Sequence, residues 1–183
     1  MKAGVKTYAT WNPADKHANI ILSNGNLTID NTTGWAAVRA NIGKSSGKWY
    51  WEVAFANTTY GRLPGVGNST MSLAIPVGFD AYSWGFYDNS ATPANKYHNS
   101  VAENYGAGLW NGKTVGIALD MDAGTIRFFL DNVDHGIAYS TGLTGTLFPA
   151  MSKDGTAGLS TANFGATALT YAPPAGFNAG VYN

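Results

Sequence analysis

Apolar side chains in this chain never settle into a helical rhythm. No stretch of about ten residues or more repeats an apolar residue at three- to four-residue spacing. Short runs that are apolar or alternating recur instead at roughly eight- to twelve-residue intervals, with Gly, Pro, Asn and Asp between them. Strand-like runs are Asn19–Leu22, Leu27–Asp30, Ala36–Ile42, Lys48–Phe55, Met71–Val77 and Tyr82–Tyr87. Val115–Asp120, Thr125–Leu130, Ile137–Tyr139, Leu147–Met151 and Gly158–Phe164 continue the series. Asn57–Ser69 is polar and broken by Gly and Pro, and reads as a loop. Asp88–Gly108 reads as a long surface excursion holding one or two short strands. The pattern predicts one all-β domain over residues 9–183, preceded by an arm of residues 1–8.

Composition removes several functions. Charged residues are 12% of the chain, against the usual share of roughly 25%, and eleven acids cancel eleven bases. A nucleic-acid grip needs a basic field, so none is expected. No apolar window is long enough to cross a bilayer, and the N-terminal MKAGVKTYATWNP lacks the apolar core of a signal peptide, so neither membrane insertion nor general secretion is expected. The absence of cysteine removes disulfides and thiolate metal sites.

Three aspartates in VGIALDMDAGTIRFFLDN raise the question of a metal or catalytic site. With Asp120 first in a calcium loop, Asp122 falls third and Asp131 twelfth. Gly124 then stands fifth, Thr125 sixth and Phe128 ninth, where the loop requires an oxygen ligand, a glycine and a further oxygen ligand. The loop fails, and no metal or other cofactor is expected. Asp120 and Asp122 form the only carboxylate pair offered for glycan hydrolysis, but Asp122-Ala-Gly124 has the chemistry of a turn. A hairpin with VGIAL and TIRFFL as its arms is the better reading. His17, His98 and His135 lack ligand-like spacing, and no nucleophile elbow, phosphate loop or H-E-x-x-H occurs. The chain does not read as an enzyme.

Six segments in order resemble the SPRY domain family. They are Gly47-Lys-Trp-Tyr-Trp-Glu-Val53, Ser83-Trp-Gly-Phe86, and Val115-Gly-Ile-Ala-Leu-Asp120 continuing into Gly124-Thr-Ile-Arg-Phe-Phe-Leu-Asp-Asn132. Gly136-Ile-Ala-Tyr139, Leu147-Phe-Pro-Ala150 and Ala162-Asn-Phe-Gly165 follow. Val133 stands where the family's Asn-Gly hairpin tip has its glycine. The resemblance implies a bent two-sheet antiparallel β-sandwich of the concanavalin A-like jelly-roll kind, with Trp49, Trp51, Phe128 and Phe164 in its core. It also implies a non-enzymatic module whose loops at one edge bind a partner. The N-terminal Trp11-Asn-Pro-Ala-Asp-Lys16 and Leu22-Ser-Asn-Gly-Asn-Leu27 resemble stand-alone SPRY proteins of bacteriophage and prophage. That points to a virion, in a tail or adsorption role, or to the host cytoplasm. Homo-oligomerisation would follow from a place in a particle.

The loops expected to carry recognition are Asn31–Trp35, Tyr60–Asn68, Val77–Tyr82 and Lys153–Thr156. Within them Asn31, Trp35, Tyr60, Arg62, Phe79, Asp80, Tyr82, Lys153 and Asp154 are the candidate ligand-binding residues. Trp35, Phe79 and Tyr82 lead because exposed aromatics dominate interface hot spots. The ligand is expected to be a protein. The alternative is a surface glycan, for which Phe79-Asp80 and Tyr87-Asp88-Asn89 offer stacking rings beside polar groups.

Overall fold

A computed structural model describes residues 4–56, 61–89, 93–108, 110–156 and 158–183. Among them there is no helix, and two antiparallel sheets face each other. The first sheet contains β1 (Trp11–Lys16), β4 (Ala36–Ala40), β6 (Arg62–Gly67), β7 (Ser83–Tyr87), β8 (Asn95–His98), β9 (Val101–Asn104) and β13 (Phe148–Lys153), in the order β1-β4-β13-β6-β7-β8-β9. The second contains β2 (Ile21–Ser23), β3 (Thr28–Asp30), β5 (Lys48–Phe55), β10 (Thr114–Asp120), β11 (Thr125–Leu130), β12 (Val133–Tyr139) and β14 (Ser160–Asn163), in the order β12-β11-β10-β5-β14-β3-β2. A short β15 (Asn178–Ala179) runs parallel to β5. The sandwich expected from the sequence is the fold observed.

Alternation in β5 places both of its faces. Trp51, Val53 and Phe55 point between the sheets, where they join Trp11, Phe86, Trp110, Phe128 and Phe164 in the main core. Trp49 shares that face but lies at the rim, partly buried, its indole N–H donating to the Ser46 carbonyl at 2.7 Å. Tyr50 and Glu52 point the other way and are nonetheless buried. Tyr50 packs with Ala118 and Phe129 beneath Leu169 and Phe177 of the C-terminal tail. The Glu52 carboxylate accepts the backbone N–H groups of Thr170 and Tyr171 at 2.7 and 2.8 Å, which pins that tail to the sheet.

Two sequence expectations fail together. Asn57–Ser69 contains β6, a buried central strand, while Met71–Val77 forms no strand. Pro64 and two glycines disguise β6, because proline is normally excluded from central strands. Its pairing with β7 covers only Gly65–Gly67, so Pro64 stands outside that ladder. Gly65 is required: a Cβ there would lie 1.9 Å from the Trp84 carbonyl oxygen.

The hairpins follow their turn residues. Asp131 and Asn132, both at positive φ, form the two-residue turn between β11 and β12, so Val133 opens the next strand and needs no glycine. Asn99 and Ser100 do the same between β8 and β9, the strands within the Asp88–Gly108 excursion.

Asp120 and Asp122 close the β10–β11 hairpin. Asp120 accepts the N–H groups of Asp122 and Ala123 at 3.1 and 2.9 Å and pairs with Lys48 at 2.8 Å. Asp122 is exposed and accepts the Gly47 N–H at 2.7 Å. No cluster of metal-ligating side chains occurs among the described residues. Burial opposes the charge of Asp120, but Lys48 and the two amides outweigh it and hold its carboxyl below the ordinary 3.8. Its stabilisation is therefore present above the unfolded value and is lost as pH falls through the lower folded one. Asp120→Ala is expected to cost about 2 kcal/mol at neutral pH, and Asp122→Ala about 1 kcal/mol or less. Urea denaturation at neutral pH and near pH 3 would check both, the Asp120 difference shrinking in acid.

Candidate functional site

Pairing of Lys153 with both Ala36 and Arg62 sets three strand ends in one row. The start of β4, the start of β6 and the end of β13 therefore lie at one end of the sandwich, together with Asn31, Trp35, Arg62, Lys153 and Asp154. Tyr60 lies outside the described residues. Three of the candidates are consumed by the fold. Arg62 is fully buried against Asp88, with N···O 2.5 Å, and also donates to Asn111 Oδ1 at 3.1 Å and the Ala56 carbonyl at 3.3 Å. Its guanidinium lies 4.7 Å from the centre of the Phe55 ring. Lys153, equally buried, donates to Asp30 Oδ1 at 2.8 Å and the Asn31 carbonyl at 3.1 Å, and the ammonium holds Asp30 below the ordinary carboxylate range. Asn31 donates to the carbonyls of Gly34 and Lys153. These side chains shape the loops from inside and present nothing to a partner. A charged residue beside glycine reads as surface in sequence, and only the fold reveals its buried counter-charge. Asp154, partly buried, caps its own turn by accepting the Thr156 N–H and hydroxyl, both at 2.9 Å.

Phe79, Asp80 and Tyr82 belong to the segment 68–82, which folds back over the outer face of the first sheet. Ala37 N–H donates to the Leu73 carbonyl at 2.9 Å, and Val77 N–H to Ser152 Oγ at 2.9 Å. Close approach depends on glycine: a Cβ on Gly78, at φ +91°, would meet the Tyr97 carbonyl oxygen at 2.3 Å. Asp80 holds the bend, accepting from Ser72 N–H at 2.7 Å, Tyr82 N–H at 3.0 Å and Ser83 hydroxyl at 2.7 Å. Beneath the segment, Leu63, Ala37 and Ala150 join Met71 and Val77 in a second apolar cluster.

At the border of that cluster four partly buried aromatics form a row. Trp35 meets Tyr87 at 6.1 Å between ring centres, Tyr87 meets Tyr97 at 5.8 Å, and Phe79 lies nearly flat on Tyr97 at 4.8 Å. The fold thus joins Trp35 and Phe79, distant in sequence, through two tyrosines. Tyr82 is 48% exposed and takes no part in these ring contacts. Tyr97 escaped sequence reading because Asn95-Lys-Tyr-His98 lies in a stretch without apolar pattern. Its one signal is alternation, which sends Tyr97 outward and Lys96 and His98 inward.

The SPRY domain family model matches residues 48–167, and the chain belongs to that family. SPRY domains are protein–protein interaction modules, generally without catalysis. Among curated proteins the chain is 30% identical over 146 residues to an ATP-dependent RNA helicase, DDX1, of Xenopus laevis; that match takes in 75% of this chain but 19% of the helicase. The fold resembles the SPRY domain of human HERC1, with TM-score 0.71 and 18% identity over 83% of this chain and 96% of that one. It also resembles the TRIM65 PSpry domain, with TM-score 0.69 and 18% identity over 86% and 90% of the two chains. In stonustoxin the likeness takes in 86% of this chain and 27% of the toxin chain, at TM-score 0.68 and 21% identity.

Proposed function

We propose that the domain binds a protein partner through the face bearing Trp35, Tyr87, Tyr97 and Phe79, and that it does so on or near a phage or prophage particle. The observation carrying the first part is the contiguous aromatic row, half-buried and already ordered by its own ring contacts. Ordered aromatics lose little conformational entropy on association, and such anchors supply most of the binding energy at interfaces. Buried Arg62, Lys153 and Asn31 set the adjoining loops, so the face is held rigid. The particle setting is supported by the sequence style of Trp11–Lys16, which forms β1, and of Leu22–Leu27, which holds the end of β2 and the turn into β3.

The variants Trp35→Ala and Phe79→Ala test the face, with a pull-down from purified particles and from host envelope as the readout. At least one should weaken capture about tenfold, equivalent to about 1.4 kcal/mol, while the far-UV spectrum stays unchanged. Normal capture by both folded variants would remove this face from consideration. Capture of polysaccharide in place of protein would turn the reading to a glycan. Mass spectrometry of purified particles tests the setting, which fails if the chain is absent from them.

A further inference from the structure

On the opposite face of β8 from the aromatic row, a cavity of about 300 Å³ opens between the edges of the two sheets. It is lined by His98, Asn99, Val101, Glu103, Tyr139 and Thr141. This size lies at the lower bound of small-ligand sites, roughly 300–1,000 Å³.

The lining sets an imidazole, an amide, a carboxylate and a hydroxyl beside the Tyr139 ring and the Val101 side chain. His98 stacks on Trp84 at 4.6 Å with rings 5° from parallel, and its Nδ1 lies 2.9 Å from the Ser83 carbonyl. A carbonyl only accepts, so Nδ1 carries the proton, and Nε2 is left as an acceptor without a protein partner. Glu103 spends one carboxylate oxygen on Lys96, at 2.9 Å, and keeps the other. The Asn99 amide and the Thr141 hydroxyl, both on exposed residues, make no hydrogen bond within the described protein. Acceptors therefore outnumber donors around one aromatic wall, Tyr139.

Such a lining suits a ligand rich in donors, either a cation or a polyol. Lys96 decides between them. Its ammonium also donates to the Ala138 carbonyl at 2.5 Å and lies 4.7 Å from the centre of the Tyr139 ring. A second cation would enter against the charge of that ammonium. A neutral ring of hydroxyl groups meets no such opposition: its edge satisfies Glu103, Asn99, His98 and Thr141, and its apolar face lies against Tyr139 and Val101. We infer that this cavity is a binding site for a neutral saccharide, one sugar ring in extent, separate from the aromatic face.

Saturation-transfer NMR with free glucose, galactose and N-acetylglucosamine tests this, with methylguanidinium as the cationic comparison. At least one sugar should bind with Kd on the order of 1 mM, as expected of so small a ligand. Thr141→Val and Asn99→Gly, the latter keeping the positive-φ turn, should each weaken it about fivefold or more without lowering Tm. Trp35→Ala should leave sugar binding unchanged, which separates this site from the proposed protein face. The inference is overturned if no sugar shows transfer at about 50 mM, if methylguanidinium binds better than every sugar, or if both cavity variants bind as the parent does.

Discussion

Arg62→Met is expected to destabilise the domain by about 3–5 kcal/mol, the cost of removing the guanidinium that faces a buried carboxylate. Asp88 is 1% exposed and Arg62 0%, so water cannot replace the lost guanidinium. The same guanidinium donates to Ala56 and Asn111, on the loops after β5 and before β10, and its removal frees both. Urea denaturation should show the loss as a lower midpoint. The double variant Arg62→Met/Asp88→Leu should recover part of it, since two apolar side chains leave no buried charge. A single variant as stable as the parent would mean that Asp88 is solvated and that the loops at this end are not organised from within.

Trp51→Ala should be as damaging, about 3–5 kcal/mol, because a fully buried indole leaves a cavity that the facing sheets cannot close. Trp49→Ala, two residues earlier on the same face, should cost only about 1–2 kcal/mol. Its contacts are an edge-to-face meeting with Tyr182 at 5.3 Å and the Lys44 ammonium 4.1 Å from its ring centre, both at the rim. Thermal melts of the two variants give the comparison. Equal losses would place both indoles in the interior and make the rim position of Trp49 incidental.

The same pair shows how far sequence reaches. A spacing of two residues puts Trp49 and Trp51 on one face, and alternation in Lys48–Phe55 identifies the strand. Neither shows that the outer face of that strand is also covered, because the covering residues Leu169 and Phe177 lie more than a hundred positions away. Turn chemistry was legible at Asp120–Gly124, where aspartate and glycine announce a hairpin. It misled at Arg62–Gly67, where proline and glycine serve close packing under the 68–82 segment. The candidate site divides along the same line. Trp35 and Phe79 stand out in sequence as aromatics between strands, whereas Arg62, Lys153 and Asn31 read as loop surface because Asp88, Asp30 and the Lys153 carbonyl that hold them come from remote segments. Only the three-dimensional neighbourhood distinguishes a lysine in water from one donating to Asp30.

The two ends of the described chain are hydrogen-bonded to each other. Asn183 N–H donates to the Thr7 carbonyl at 3.0 Å, Thr7 N–H to the Asn183 carbonyl at 3.4 Å, and Ala9 N–H to the Val181 carbonyl at 2.8 Å. Entry and exit therefore share one doorway, a single strand spacing of about 5 Å wide. A host polypeptide interrupted by this domain would leave along one rail of that doorway and return along the other, its own path displaced by little more than one residue's reach. Spliced in this way, the sandwich would hang from a two-stranded stem, with the aromatic row and the sugar-sized cavity carried on the body it suspends.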